Sequence, residues 1–478
     1  MTDAPSITDD VNSDDVTPES TGSEPPAMHG DLTQGPILRT LLMFSIPMLL
    51  SNVLQTLNGS INAIWVGRLL GETALAATAN ANMVMFLMFA VIFGFGMATT
   101  VRVGQHFGAR DFAAARRTLG SGLGFSIGLA LLVAILGWIY AAPLLDLLET
   151  PEASKQEALA YLRVVFATIP LGAVNMMVSM AMRGAGDSKT PMYAMILAAA
   201  IDVTFNPLLI VGAGPLPALG ITGSALATAV ANFAGMAYQI WWIYRRDLPV
   251  RLRGAELGYL LPRGHELRYT LGKGLPMGAQ MLLSSSAGLI MIGLVNHQGL
   301  DAAAAYGASL QLWNYLQMPA FAISTAVSAM VAQSLGAGDH KRVGDVTSIG
   351  MGVNLVLSTV LAALIVALDR PLLALFLGGG SSALPIAEHI QLVCTASYVI
   401  MSITMILTGT MRAYGSVVAP LVIMFIGIYP GRLGFYYLAE PMIANEAVWW
   451  SYPVGSIVMV VLTVAYYRVG GWRKAFSR

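Results

Sequence analysis

One cysteine in 478 residues, Cys394, sits inside an apolar run, so neither a disulfide framework nor a thiolate metal site can be built from this chain. Charge is almost as scarce. Asp, Glu, Lys and Arg make up 11% of the residues, against about 25% in an ordinary soluble domain. The six histidines, His29, His106, His265, His297, His340 and His389, fall in the leader, in loops or at the ends of apolar runs. No HExxH pattern, paired carboxylates or nucleophile beside a base accompanies them, which argues against an enzyme. The glycine-rich stretches RGAGD (183–187) and GAGD (336–339) lack a Lys-Ser/Thr phosphate cradle, so ATP-driven work is unsupported.

What fills the chain instead is apolar. Hydrophobic residues make up 56% and mean hydropathy is +0.67. Twelve stretches are long enough to cross a hydrocarbon core of about 30 Å: 40–64, 79–101, 118–141, 158–180, 189–212, 219–244, 270–295, 306–331, 345–368, 386–411, 417–439 and 449–468. They are continuous and do not alternate as barrel strands do, so they read as helices, which satisfy their own backbone hydrogen bonds in lipid.

The sequence is also written twice. Pro47, Gly71, Gln105, Gly108 and Pro191 recur as Pro276, Gly299, Gln333, Gly336 and Pro420, at separations of 229, 228, 228, 228 and 229. Six spans fall in each copy. An even number returns the chain to its starting side, so the repeats are parallel, and a duplication in so apolar a chain is a mark of a transporter with its site between the repeats. The expected fold is all-α and integral to the membrane, with twelve transmembrane helices in two parallel six-helix repeats around a central cleft. The N-terminal lobe spans 37–246, a linker 247–268 and the C-terminal lobe 269–470. Arg and Lys crowd the loops 102–117, 181–188, 245–269 and 332–344 and the tail 471–478, while the opposite loops hold only Arg68, Lys155 and Arg370. That bias predicts both termini in the cytoplasm. Residues 1–36 are acidic, rich in Ser, Thr and Pro, and lack a signal peptide's basic start, so they read as a disordered cytoplasmic tail.

Chemistry must then come from polar groups inside the spans. Asp202 lies about fourteen residues into the fifth, at a depth where an ionisable side chain is costly unless it faces a cavity or a partner. Asn206 follows one turn later on the same face. Pro207 removes a hydrogen bond to the carbonyl of Val203 and predicts a bent or opened helix there. Asn58 and Asn62 repeat the same spacing on the first span, and Asn175 with Met176 adds polarity and an adaptable apolar side chain on the fourth. The second copy supplies Gln280, Ser284, Asn314, Gln317, Thr404 and Thr408, with Arg432 near the place of Asp202. Arg432 reads either as a partner for Asp202 across the lobes or as a lock between helices of its own lobe.

The stretch PMLLSNVLQTLNGSINAIWVGRLLGETALAA (47–77), the paired GQHFGA and AQSLGA motifs, MRGAGDSKTP (182–191) and DVTFNPLLI (202–210) resemble the multidrug and toxic compound extrusion (MATE) transporters. The resemblance covers about 38 to 470 and implies two six-helix lobes exporting organic cations or amphipathic compounds in antiport with H+, with Na+ as the other possible coupling ion. Many bacterial members carry an aspartate on the first helix, where this chain has Asn62. The glutamate that NorM-like members place on the seventh helix aligns near Ser284. Asp202 matches the fifth-helix aspartate, which makes the chain more similar to the DinF-like branch.

The resemblance thus implies coupling through Asp202, Asn206, Asn62 and Asn58, and a substrate cavity including Asn175, Met176, Gln280, Ser284, Asn314 and Arg432. Asp202 is then the residue expected to carry the proton. The other reading is a flippase or exporter for lipid-linked precursors or metabolites, though a pyrophosphate carrier would be expected to line its cavity with several basic residues. No cofactor or metal is implied. The partners expected are small amphipathic or cationic molecules and membrane lipids, with no nucleic acid, and the unit expected is a monomer in the bacterial inner membrane.

Overall fold

The computed structural model describes residues 30–147, 152–212, 217–262 and 264–476. Its N-terminal half is α1 (Ile37–Leu70), α2 (Glu72–Gly108), α3 (Phe112–Leu147), α4 (Glu152–Gly184), α5 (Lys189–Val211) and α6 (Ile221–Arg245). After a 3₁₀-helix at Gly254–Leu260 come α7 (Gly264–Asn296), α8 (Leu300–Gly336), α9 (His340–Ala367), the short α10 (Asp369–Leu377) and α11 (Leu384–Ala413). The next span is composite: α12 (Val418–Ile426), a π-helical segment Gly427–Gly434 and α13 (Phe435–Ile443), and α14 (Glu446–Val469) closes the bundle. No strand occurs among the described residues.

Ten of these elements are long and apolar enough to cross a membrane, counting Val418–Ile443 as one. With α2 and α6, of 37 and 25 residues, they make the twelve crossings of a two-repeat bundle. Several repeat landmarks turn out to be helix ends. Gly71 and Gly299, with φ of 87° and 111°, turn the chain between the first and second helix of each half, a region a side chain would disfavour. Asp111 and Asp339 cap the third helices, accepting from the backbone N–H of Ala114 and Arg342 at 2.9 Å each.

Two expectations need correction. The fifth span does not open at Pro207, because α5 stays helical from Lys189 to Val211. The proline lies in the last turns, and Asn206 and Asp202 just before it are tied to α1, as described below. Its counterpart in the second half departs from α-geometry instead, where Gly427, Pro430, Gly431 and Gly434 weaken the helix. The leader, expected to be disordered through residue 36, is packed from Gly30 onward. Leu32 is only 5% exposed within a core shared with Phe44, Met330 and Leu335, because an apolar side chain there has a pocket to fill. Residues 1–29 lie outside the described residues. The C-terminal tail is likewise anchored: Trp472 stacks on Tyr467 at 4.7 Å and meets Tyr414 edge-on.

The halves form two lobes that join near the ends carrying the termini. Away from those ends each lobe has its own core, one around Leu145, Leu162 and Phe166, the other around Trp313, Ile390 and Trp449. Towards the terminus side the cores merge: Leu41, Phe44 and Met48 of α1 pack among α8, α9 and α11 residues, and Met97 and Met180 meet Met277 and Val417. The seam is made of small residues that let backbones approach. A Cβ on Gly108 would lie 1.8 Å from the carbonyl oxygen of Gln333, and one on Gly336 would lie 1.9 Å from that of Gln105. Two reciprocal hooks flank this crossing. Gln105 Nε2 donates to the carbonyl of Ala413 at 2.7 Å, and Gln333 Nε2 donates to that of Gly184 at 3.0 Å.

Residues 30–36 form a strap over the same seam. Leu32 N donates to Gln333 Oε1 at 2.9 Å, and the Arg342 guanidinium donates to the carbonyls of Leu32, Gln34 and Gly35. The linker between lobes is pinned by Arg116 to Glu256 at 2.8 Å. At its start Arg253, then Arg251, hold the carboxyl of Asp247 below the usual carboxylate range.

Candidate ion and substrate site

Asp202 is fully buried in the N-terminal lobe, between α1, α5 and α6. Its Oδ2 accepts from Asn58 Nδ2 at 2.7 Å and from Asn62 Nδ2 at 2.8 Å, so the i, i+4 pair on α1 closes on one oxygen. Its Oδ1 accepts from Thr228 Oγ1 on α6 at 3.2 Å, with the Asn206 amide at 3.5 Å. Asn206 Nδ2 also donates to Asn62 Oδ1 at 2.8 Å, which locks the amides to one another. Hydrogen bonds to an ionised carboxylate are stronger than neutral ones, and this set offsets the cost of holding a carboxylate at such depth. Two acceptors remain without partners: Asn58 Oδ1 and Asn206 Oδ1 are buried and unbonded.

The network continues beyond what sequence reasoning placed there. Asn232 Nδ2 donates to the carbonyl of Thr228 at 3.0 Å, Asn175 Nδ2 to Asn232 Oδ1 at 3.4 Å, and Gln239 Nε2 to Asn175 Oδ1 at 2.6 Å. Ser179 Oγ then donates to Gln239 Oε1 at 3.0 Å. Asn175 therefore belongs to a polar seam joining α4 and α6 behind Asp202, running towards the terminus side. Thr228, Asn232 and Gln239 went unnoticed because each is neutral. Their faint signal is helical spacing along one face of α6.

The other sequence-picked residues do not gather around Asp202. Met176 packs between the N-terminal core and the merged methionine cluster. Gln280 Nε2 donates to the carbonyl of Val417 at 3.2 Å, tying α7 to α12. Ser284 and Asn314 are exposed on α7 and α8, and Tyr315 is exposed beside Asn314. Phe89, Phe93 and Phe321 form an aromatic row across the seam, with centroids 5.9 and 6.1 Å apart. Arg432 forms no ion pair with Asp202. Its guanidinium lies over the ring of Tyr452, 4.0 Å from the centroid.

Two pseudo-symmetric helical lobes, sealed together at one end, with one fully buried carboxylate among the described residues, define a membrane transporter for small molecules rather than an enzyme. The comparisons agree. The MatE family model matches residues 47–208 and again 276–438, once in each repeat, and the chain belongs to this family. It is 31% identical to the probable multidrug resistance protein YoeA of Bacillus subtilis (strain 168), over 95% of this chain and 99% of that protein. It is 27% identical to YpnP of the same organism, also called a probable multidrug resistance protein, over 93% and 97%. Among solved structures it is similar to an outward-facing MATE family transporter of the MOP superfamily, with a TM-score of 0.84 at 20% identity, over 93% of this chain and 98% of that one.

Proposed function

We propose that this protein exports small amphipathic or cationic compounds by alternating access, in exchange for protons carried by Asp202. The observation that carries the reading is the full burial of Asp202, with Asn58 and Asn62 converging on one of its oxygens. The Bacillus subtilis relatives named for multidrug resistance give the substrate class its support. The excess of Arg and Lys on the terminus side supports a cytoplasmic position for that side. The lobes are then joined at the cytoplasmic face and can take up protons from outside. Protonation turns Oδ2 from an acceptor for two amides into a hydroxyl that must donate, which loosens the grip of α1 on α5. The lower part of α1 carries Leu41, Phe44 and Met48 into the core shared by the lobes, so the same helix reports the state of Asp202 to the cytoplasmic seal.

A sodium-coupled cycle is the second reading, and the unbonded oxygens of Asn58 and Asn206 favour it. With the carboxylate and the Thr228 hydroxyl they supply oxygens of the kind a small monovalent cation takes. The test is ethidium efflux from everted vesicles under a proton gradient or a sodium gradient, wild type beside Asp202→Asn. Proton-driven efflux lost in the variant supports the reading. Efflux at the full wild-type rate from Asp202→Asn sinks the carrier role, and no efflux of ethidium under either gradient sinks the multidrug assignment.

A further inference from the structure

The fifth span of each lobe carries a charge at one depth, and the signs are opposite. Asp202 plus the repeat offset of 229, taken from Pro191 and Pro420, gives position 431. The π-helical segment Gly427–Gly434 accommodates one residue more than α-geometry does. Arg432 is thereby brought to the place that Asp202 holds in the other lobe. The neighbouring helix matches too, since Asp202 bonds to α6 and Arg432 lies against α14. A Cβ on Gly455 of α14 would sit 3.0 Å from the Cβ of Arg432, so the stem of the side chain is held in place.

The two charges are treated differently. Asp202 is surrounded by donors. Arg432 has five N–H groups, yet among the described residues it makes no hydrogen bond and no ion pair, and its buried Nε has no acceptor. The ring of Tyr452 offsets only part of the cost of a cation at this depth. Beneath it packs the aromatic core of the C-terminal lobe. Tyr452 and Tyr306 share a hydroxyl hydrogen bond of 2.5 Å, and the Trp313 ring lies 5.5 Å from that of Tyr452 and 5.2 Å from that of Tyr398. Arg432 itself remains partly open.

We propose that Arg432 anchors one anionic group, a carboxylate, sulfonate or phosphomonoester, on an amphipathic substrate that reaches the guanidinium from its open side. A single guanidinium grips one such group through paired donors. The inference deepens the export reading, which supplies the route, while the binding step stands apart from it.

The experiment uses the full chain in nanodiscs, with anilinonaphthalene sulfonate as the anionic probe and phenylnaphthylamine as its uncharged counterpart, each measured by equilibrium dialysis against empty nanodiscs. Arg432→Gln is expected to weaken sulfonate binding at least about tenfold and to leave amine binding within about twofold of wild type, which also reports that the variant is folded. Arg432→Lys should recover part of the loss. Equal effects on both probes, or no effect on the sulfonate, overturn the proposal. Nanodiscs with and without phosphatidylglycerol separate the sources of the anion: if that lipid displaces the sulfonate only when Arg432 is present, the site is for a lipid headgroup and the substrate assignment falls. Ethidium efflux measured on everted vesicles carrying the same variants keeps the two readings apart. Arg432-dependent binding without efflux refutes the efflux reading alone, and efflux without Arg432-dependent binding refutes this one alone.

Discussion

Replacing Gly108 by Ala should force the lobes apart at the terminus side. In a helix open to solvent or lipid the same change is favourable, by roughly 0.5–1 kcal/mol. Here the new Cβ would lie 1.8 Å from the carbonyl oxygen of Gln333, whereas non-bonded heavy atoms rest at about 3.5 Å. The neighbour is backbone, so α2 and α8 must separate by roughly 1.5 Å at their crossing. Overpacking of this kind costs about 1–3 kcal/mol. The Gln105 and Gln333 hooks are stretched as well, each worth about 1 kcal/mol. With both hooks lost the closed seam is weakened by about 3–5 kcal/mol in total, a shift of roughly a hundredfold to a few thousandfold in the equilibrium between sealed and parted lobes. The assay is a spin-label distance between Arg110→Cys and Lys341→Cys, exposed on opposite lobes, in a Cys394→Ser background. Gly108→Ala and Gly336→Ala should both lengthen it. Gly128→Ala, whose added Cβ meets nothing within 4 Å, should leave it unchanged. An unaltered distance distribution in Gly108→Ala with undiminished transport would show that this crossing is not the seal.

Other outcomes follow from the site and the linker. Asn62→Asp sets a second carboxylate where an amide now lies 2.8 Å from Asp202; two carboxylates so close share a proton, and the number of ions exchanged per substrate, read from the reversal potential, should rise. Thr228→Val removes a hydroxyl donor from Asp202 without changing shape, costing about 1–2 kcal/mol of stability in thermal unfolding when the carboxylate is ionised. Gln239→Leu breaks the contacts with Asn175 and Ser179 and should cost about 1–3 kcal/mol in the same measurement while leaving the Arg432 probe binding unaltered. The carboxyl of Asp247 is depressed by Arg253 and Arg251, so its contribution is present above the ordinary carboxylate range and is lost only as pH falls through the lower folded value. Hydrogen exchange over residues 246–262, corrected for intrinsic rate, should therefore be the same at about pH 7 and about pH 5.

The repeat was the most legible feature, because membrane crossings demand long apolar runs and the same turn residues recur at each end. Gly71 and Gly299 stand out in sequence for the reason they matter in space: each turns the chain through a backbone region that suits glycine. Asp202, Asn206, Asn58 and Asn62 were legible for a related reason, since polar residues are rare in such spans and a spacing of four sets them on one face. Thr228 and Gln239 were not, because threonine and glutamine on a helix rich in alanine carry no charge to betray them. The behaviour of the two fifth spans ran against expectation. One proline near the end of α5 removed a single hydrogen bond and left the helix whole, while glycines clustered around Pro430 changed the pitch of its counterpart. Counting residues between copies places Arg432 one position off Asp202, and only the altered pitch restores the correspondence.

The strap at residues 30–36 bears on how the molecule is made and handled. Its contact with Gln333 joins residues 301 positions apart, so the N-terminal end cannot settle until α8 and α9 have been synthesised and inserted. Until then Leu32 has no pocket, and the nascent chain holds the seven crossings α1 to α7 with an unfastened leader. Any fusion partner placed ahead of Gly30 emerges directly over the line where the lobes meet. A bulky domain joined at Gly30 would sit over that line, and Trp472 at the other end of the chain packs into the same shared core as Leu32.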